Sequence, residues 1–418
     1  MSNKLFILSV NFLSYCIYLL PILLVTGPFL PDLFISICSI IYLIICFIRN
    51  DWKYFNNIFF KIFIIFYIYI LIRSLFYSID FFVIKSSIFY IRFGIFSILI
   101  YFLCDLNVKF SKNFFKIIFL TILFLTFDSL FQYYFNVNLI GIEKYSVNRV
   151  SGFFGADSKL GSYIARLFPF ALAYFYYSFY KKNNLMIIKN CIFTIFIFIG
   201  ILISGERTAL FLFLLSLLLI HSLNKDLLKL FFLNIIILIT VFFVFIKFDP
   251  DIKERIITTT KSQLNFKDGQ IRIFSEDHES HYIISYKMFE DNIFFGQGPN
   301  SFRYKCSVEK FKFENNFGCT THPHNIYIQL LAEIGLVGFS FLFFCLVFIY
   351  FNIIKNVTNN FFKKIKKNNF FFHSLLVTIS LSLFPLVPTG NFFNNWMSMI
   401  FYLPVGFFLQ EYFKKNDS

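Results

Sequence analysis

The feature that most constrains this chain is a series of apolar runs, each long enough to cross a lipid bilayer. A helix that spans the hydrocarbon core needs about 20 predominantly apolar residues. About twelve such runs lie near residues 5–26, 29–48, 58–76, 86–104, 114–135, 159–180, 190–204, 208–222, 228–247, 324–352, 370–388 and 395–412. They predict an all-α polytopic membrane protein with about twelve transmembrane helices.

The composition agrees with this interpretation. About twelve spans of this length would use about 240 apolar positions, and 58% of the 418 residues are hydrophobic. Charged residues make up only 15%, whereas a soluble domain carries about a quarter. These proportions exclude a soluble enzyme, a secreted disulfide scaffold and a disordered chain. The continuous runs also exclude the alternating strands of an outer-membrane barrel.

The basic residues predict the orientation of the chain. If the N-terminus is cytoplasmic, Lys or Arg residues fall in every loop on the inner side, as the positive-inside rule requires. We therefore expect one membrane domain over residues 1–418 with both termini in the cytoplasm. Its long periplasmic loop, 248–323, joins spans nine and ten. The net charge of +15 is divided among the loops and tails, so it does not indicate nucleic acid.

Two of the eight cysteines, Cys306 and Cys319, lie in the long loop. Disulfides persist in exported segments, so we predict a bridge between these two residues. Two free thiols are the alternative, because spacing alone does not fix the pairing.

Polar residues just before span ten predict a catalytic base. Pro323 favours extended backbone at His322, so a helix can begin directly after it. His324 would then lie in the first turn, where unpaired N–H groups attract an anion. A neutral imidazole there can remove a proton from a hydroxyl group, with His322 and Asn325 in support. The alternative is that these histidines only anchor the membrane interface.

A very short outer turn between spans seven and eight predicts an anion site. It reads Ser204-Gly205-Glu206-Arg207-Thr208-Ala209, and Arg207 begins a span. A guanidinium at a helix N-terminus offers a fork of donors that suits a phosphate or diphosphate. The alternative is a structural partnership of Glu206 and Arg207 with neighbouring loops.

A glycine-rich turn before span six adds two further arginines on the outer side. Arg149 precedes the turn, and Arg166 follows it inside an apolar run. A solvated charge beside a turn explains Arg149 almost as well as a binding role. Arg166 is more informative, because a charge within a span needs a buried partner.

Two histidines of the long loop allow a weak metal-site hypothesis. His278 and His281 stand three residues apart beside Asp277, but no cysteine or third histidine is near in sequence. We expect solvated loop residues instead, and no metal. Next comes helical spacing that predicts an amphipathic segment with an apolar face formed by Tyr282, Tyr286, Phe289 and Ile293.

Charged residues within other spans are expected to be structural. We predict that Arg73 and Arg92 pair with Asp128 or Glu333 and hold the helices together.

Taken together, these motifs resemble the O-antigen ligase and O-antigen polymerase superfamily of bacterial cell-surface glycan assembly. Ligases of that family carry His followed by Asn, Ser or Gln, nine residues, Gly, two residues and Gly. His324-Asn325 is followed by Gly335 and Gly338 at that spacing. Similar motifs are the turns at 204–207 and 149–152 and the last outer loop, 390–396. One departure is Phe211, where ligases often have Leu.

The resemblance implies a fold of the membrane glycosyltransferase (GT-C-like) type in the bacterial inner membrane, with its active site facing the periplasm. It implies an inverting, metal-independent enzyme without a cofactor, whose donor is a glycan on undecaprenyl diphosphate. By analogy, His324 activates the acceptor hydroxyl. Arg207 and a second arginine hold the diphosphate, and the candidates for that second role are Arg149, Arg166, Arg272 and Arg303.

Three functions follow as alternatives. A ligase transfers finished O-antigen to the lipid A core, and a polymerase transfers the growing chain to the next lipid-linked repeat by the same chemistry. A transporter or flippase would instead line a pathway with these charges. Transporters carry their polar sites near the bilayer midplane, whereas the informative residues here cluster at the outer surface. We therefore expect an O-antigen ligase, with the polymerase as the alternative.

Overall fold

The computed structural model describes residues 2–77, 81–144, 146–179, 184–263, 274–312, 318–363 and 367–416. Within these ranges the regular structure is helical, and pairing between extended segments is limited to two isolated bridges near the 137–149 connection. The prediction of an all-α polytopic membrane protein is therefore confirmed.

The predicted apolar runs all coincide with helices. The α-helices of the described residues are α1 (Asn3–Leu23), α2 (Phe29–Arg49), α3 (Ile58–Tyr77), α4 (Phe81–Phe89), α5 (Ile91–Leu106), α6 (Phe110–Phe135), α7 (Leu160–Phe179), α8 (Asn184–Ile203), α9 (Arg207–His221), α10 (Lys225–Phe248), α11 (Pro250–Lys253), α12 (Thr259–Gln263), α13 (Glu276–Asp291), α14 (Phe302–Lys305), α15 (Ile326–Asn360), α16 (Lys367–Ser382) and α17 (Asn395–Asn416). By length and composition, 8 helical stretches in this part of the chain can cross a membrane. The other predicted spans correspond to α7, α9, α16 and α17.

Helix α7 lies at the centre of the bundle. It packs against α6, α9 and α16, and its side chains are buried almost all the way round, from Leu160 to Tyr176. A helix that is apolar on every side is stable only when other helices surround it. This position fixes the N-terminus of α7 and its one arginine, Arg166, in the middle of one end of the bundle.

Helix α15 is interrupted at Gly335, which has φ 63° and ψ −170°. The segment after α13 docks onto this interruption. Leu336 N donates to Ile293 O over 2.9 Å, and Gly298 N donates to Glu333 O over 2.7 Å. These bonds satisfy backbone groups that the break would leave unpaired, which is the condition for irregular backbone among membrane helices. The second half of the loop is thereby anchored to α15.

The charged residues within the spans are structural, but their predicted partners are wrong. Arg92 forms an ion pair with Asp32, 2.7 Å away, because α2 packs against α5. Arg73 Nη2 donates to the carbonyl of Gly296 over 2.7 Å and so holds the docked segment. The carboxylate of Glu333 accepts hydrogen bonds from the backbone N–H groups of Asn300 and Phe302.

The long loop follows a path that the sequence only partly predicts. Its helix α13 exists, but the buried face is formed by Ser280, His281, Ile284, Ser285 and Met288. On the side of α13 predicted to be apolar, Tyr286 is 58% exposed, so this side is not the one that packs on the bundle. In the same loop the sulfur atoms of Cys306 and Cys319 are bonded, with their Cα atoms 5.2 Å apart.

The break in α15 predicts a strong requirement for glycine at 335. An added Cβ would overlap the backbone of Phe294 and Phe295, and a positive φ costs a residue with a Cβ roughly 1–2 kcal/mol. Gly335→Ala should therefore lower the midpoint of thermal unfolding of the purified protein in detergent.

Gly141→Ala is the matched control, because Gly141 also has a positive φ, 87°, but open space around it. Its midpoint should fall much less. Equal shifts in the two variants would show that the docked segment is not what demands glycine.

Candidate active site

A cavity of about 1260 Å³ lies at the end of the bundle where α7, α9 and α15 begin. Four parts of the chain surround it: the α6–α7 connection, the α8–α9 turn, the long loop, and the α16–α17 connection. The predicted site residues that line it are Arg149, Arg166, Glu206, Arg207, Arg303, His322 and His324. Residues far apart in sequence thus share one chamber. Arg272 lies outside the described residues.

His324 projects into this cavity from a strained backbone position. Its φ is 57°, a left-handed conformation that is uncommon for residues other than glycine and is found at functional sites. The main chain is held there by a hydrogen bond from Thr389 N to His324 O, 2.7 Å long. The expectation that His324 lies in the first helical turn is wrong, because α15 begins two residues later, at Ile326.

Asn325 explains this difference. It is the N-cap of α15, where its Oδ1 accepts hydrogen bonds from the N–H groups of Tyr327 and Ile328. Its Nδ2 donates to Pro385 O over 2.8 Å, which ties the start of α15 to the α16–α17 connection. Asn325 therefore fixes the backbone beside His324 and is not among the residues that line the cavity.

Three histidines surround His324. The ring centroid of His324 lies 4.2 Å from that of His322, 5.5 Å from that of His278 and 5.4 Å from that of His281. The expectation that the loop histidines are solvated is wrong: His281 is buried, and both line the cavity. Within the described ranges, no group of three or more His, Cys, Asp or Glu side chains is arranged to hold a metal ion.

The cluster keeps the His324 ring neutral. Burial, together with the three neighbouring imidazoles, lowers the pKa of His324 to about 3. Burial likewise lowers the pKa of His322 to about 4. A neutral imidazole has a nitrogen lone pair that can accept a proton from a hydroxyl group. The ring is thus in the state that a general base requires throughout the neutral pH range.

Glu206 holds the N-terminus of α7. Its two carboxylate oxygens accept hydrogen bonds from Gly161 N, over 2.8 Å, and Ser162 N, over 2.9 Å. These N–H groups have no partner within their own helix, so a carboxylate at this position stabilises the helix end. Burial raises the pKa of Glu206 to about 7, while the two amides and the charges of Arg149 and Arg166 oppose the rise.

The guanidinium of Arg207 points away from Glu206. Its Nη1 donates to Thr260 Oγ1 over 2.8 Å, and its Nη2 donates to Gln263 Oε1 over 2.5 Å. Arg149 Nε donates to Ser204 O over 3.4 Å. Among the described residues, all these acceptors are neutral, while the Glu206 carboxylate interacts with the charge of Arg149. Glu206 and Arg207 each bind a neighbouring segment, as the structural alternative expected: Glu206 holds α7, and Arg207 contacts α12.

Arg166 is 1% exposed. Its Nε donates to Ser162 Oγ over 3.3 Å and its Nη1 to Leu381 O over 3.2 Å. The buried partner that the sequence required is therefore a pair of neutral oxygens. The guanidinium still lines the cavity.

Sequence reasoning missed Arg255, Lys159 and the part played by the α13 histidines. Arg255 lies in a π-helical turn directly after α11 and lines the cavity. The available signal was its position, eight residues beyond the predicted outer end of span nine. Burial lowers the pKa of Arg255, and the charges of Arg149 and Arg207 lower it further, so the three guanidinium groups are close neighbours.

At one end of the helical membrane bundle, the cavity thus combines several arginines with a neutral histidine. Residues 192–343, less than half of the chain, match the family model described as O-antigen ligase. The predicted resemblance to the O-antigen ligase superfamily is confirmed over this segment. The match supports an enzyme of O-antigen assembly, of the ligase or polymerase type. Among curated proteins, none matches the chain.

The match includes only part of the cavity. Arg207, Arg255 and all four clustered histidines fall within residues 192–343, whereas Arg149 and Arg166 precede them. The central helix α7 and the α16–α17 connection thus add lining residues from outside the matched segment.

The contacts of Glu206 predict a stabilising role for its carboxylate. Glu206→Ala leaves the N–H groups of Gly161 and Ser162 buried without acceptors, at a cost of about 1–3 kcal/mol for each lost partner. The thermal unfolding midpoint of the purified protein should fall.

Asp157→Ala provides the comparison, since the Asp157 carboxylate is exposed and, within the described part of the chain, pairs with Lys159. Its midpoint should stay close to that of the parent protein. If Glu206→Ala behaved like Asp157→Ala, the carboxylate would not be what holds α7.

Proposed function

We propose that the protein is a glycosyltransferase that moves a glycan from undecaprenyl diphosphate to a hydroxyl acceptor, as an O-antigen ligase acting on the lipid A core. The observation that carries this proposal is the neutral ring of His324 inside a cavity lined by Arg149, Arg166, Arg207 and Arg303. A base and an anion site in one chamber are what transfer from a diphosphate requires.

The arginines would bind the leaving group. A diphosphate carries negative charge that grows as its bond to the sugar breaks. Guanidinium groups offer paired donors to phosphate oxygens, and in a partly buried cavity their attraction exceeds that in water. Arg207 and Arg149, whose present hydrogen bonds go to neutral oxygens, are the primary candidates. Arg166, Arg303 and Arg272 are the further candidates.

His324 would act on the acceptor. A ring nitrogen takes the proton of the acceptor hydroxyl as its oxygen attacks the anomeric carbon of the donor sugar. The bond between that carbon and the diphosphate oxygen breaks, and undecaprenyl diphosphate departs with the electron pair. The anomeric carbon is inverted because attack and departure occur on opposite faces. Fixed cations stabilise the developing charge without having to reorganise.

The proposed setting is the bacterial inner membrane. The basic loops favour cytoplasmic termini, which would place the cavity on the periplasmic side, where lipid-linked glycans are used. The partners would be the undecaprenyl-linked donor, the lipid A core and the surrounding lipid. The helical bundle with its site at one end is compatible with the membrane glycosyltransferase type.

The proposal predicts loss of transfer in two variants. His324→Ala removes the base, and Arg207→Ala removes a diphosphate ligand, so neither should restore surface O-antigen to a deletion strain. Their amounts in the membrane should match that of the parent protein. Lys287→Ala is the control, because its side chain lies outside the cavity and, among the described residues, donates a hydrogen bond to Lys312 O. Full complementation by either cavity variant would refute the role of that residue.

The same strain distinguishes a ligase from a polymerase. Long glycans stranded on the carrier lipid mean that polymer is made but not transferred, which is the result expected of a missing ligase. Single repeats attached to the core would identify a polymerase instead. Unchanged glycan profiles in both fractions would contradict either activity.

The pKa of His324 predicts an unusual pH profile. A histidine of ordinary pKa, about 6.5, would be about nine-tenths protonated at pH 5.5 and would lose about tenfold in activity. Because the pKa of His324 is lowered to about 3, its basic form persists, and kcat/KM should change by less than about twofold between pH 7.5 and 5.5.

Glu206→Gln is measured alongside, since the pKa of Glu206, about 7, lies within the tested range. A tenfold fall in both proteins would contradict a neutral His324. A fall confined to the parent protein would assign the titration to Glu206.

A further inference from the structure

We propose that Arg255 is a donor-binding residue, a third guanidinium that holds the diphosphate together with Arg149 and Arg207. The inference rests on the proposed function, because it concerns the same donor. It adds a residue that neither the motifs nor the family resemblance assigns.

The geometry around Gly205 carries this inference. Gly205 has φ 67°, and a Cβ built on it would lie 3.1 Å from Arg255 Cγ and 3.2 Å from Arg149 Cγ. The stems of both arginines therefore pack against the position that a side chain at residue 205 would occupy. Only glycine combines this left-handed backbone with so close an approach.

The backbone of the turn orients both side chains. Arg255 Nε donates to Gly205 O over 3.2 Å, and Arg149 Nε donates to the adjacent Ser204 O over 3.4 Å. Each Nε is bound to the turn, and both arginines line the cavity. Their Nη atoms donate to no acceptor among the described residues, so these nitrogens can bind a ligand in the cavity.

Arg207, two residues after Gly205, is the third guanidinium of this group. It also lines the cavity, and its contacts with Thr260 and Gln263 join it to the loop segment that carries Arg255. Like charges repel when they are brought together. Among the described residues, Glu206 is the carboxylate that interacts with the charge of Arg255. Its oxygens are already engaged by the α7 amides. Such a group is stabilised by a ligand with more than one negative charge.

The chemistry favours a diphosphate. Its two phosphoryl groups present several acceptor oxygens over a few ångströms, and each guanidinium can contact them with two parallel donors. A single carboxylate would leave most donors of three arginines unused. Because α11 and α12 flank Arg255, this residue comes from the loop, whereas Arg149 and Arg207 come from the membrane bundle. Donor binding thus connects the loop to the bundle.

The test measures donor binding separately from transfer. The purified protein in nanodiscs is titrated with undecaprenyl diphosphate, and the donor KM and acceptor KM are measured in a transfer assay. Arg255→Ala should weaken binding of the lipid diphosphate and raise the donor KM by at least about tenfold. The acceptor KM should stay unchanged, and the dependence of binding on salt should become weaker.

Lys253→Ala is the matched control. Lys253 stands two residues before Arg255, and its positively charged side chain is exposed and does not line the cavity. The Lys253→Ala variant should therefore bind the donor like the parent protein. Arg255→Lys keeps the charge but loses the fork, so its affinity should be intermediate. It also keeps the test valid if Arg255→Ala fails to fold.

A purely structural role gives a different result. If Arg255 only fastened the loop to the turn, its loss would lower the thermal unfolding midpoint and affect donor and acceptor KM alike, which would overturn the inference. Unchanged donor affinity in a stably folded Arg255→Ala protein would also overturn it. If the parent protein bound no lipid diphosphate, the proposed function itself would fail, a result distinct from failure of the Arg255 assignment.

Discussion

The site depends on the contact between the Glu206 carboxylate and the N-terminus of α7. This contact joins the short α8–α9 turn to the most deeply buried helix of the bundle. Once the turn is fixed, the stems of Arg149 and Arg255 pack close to Gly205, and Arg207 begins α9 at the cavity wall. The Glu206 carboxylate uses both oxygens to bind backbone amides. The guanidinium groups around it donate to neutral oxygens, and the proposed diphosphate site depends on their positive charge.

The other wall of the cavity depends on a broken helix. Gly335 interrupts α15, and the segment that follows α13 docks on the interruption. This docking directs α13 across the cavity, where His278 and His281 contact the ring of His324. The motif glycine eleven residues after His324 therefore acts through the path of the loop, far from the chemistry. Burial of the histidine cluster lowers the pKa of His324 and keeps its ring neutral. Protonation of this ring would place a further positive charge beside the arginines.

The sequence predicts the parts that depend on local pattern. Apolar runs of spanning length give the helices, since a bilayer leaves the backbone few other ways to satisfy its hydrogen bonds. Polar residues at the ends of those runs identify Arg149, Arg207 and His324, because charges are rare there without a function. The common location of these residues follows from their position at one end of the bundle.

What the sequence does not predict depends on long-range packing. Arg92 pairs with Asp32 across 60 positions because α2 and α5 are neighbours, and no periodicity encodes that. In the sequence, nothing distinguishes Arg255 from the other charged residues of the long loop. Its role follows only from the close approach to Gly205. The face of α13 that packs on the rest of the protein includes His281 and Met288, which the aromatic spacing in the sequence does not indicate.

The most direct test of the account is a cryo-electron microscopy map of the protein in nanodiscs with an undecaprenyl-diphosphate-linked glycan bound. We expect density for the diphosphate between Arg149 and Arg207. We also expect the anomeric carbon to face His324, with room for an acceptor oxygen about 3–3.5 Å from that carbon. A diphosphate bound outside this cavity, or an anomeric carbon turned away from His324, would contradict it.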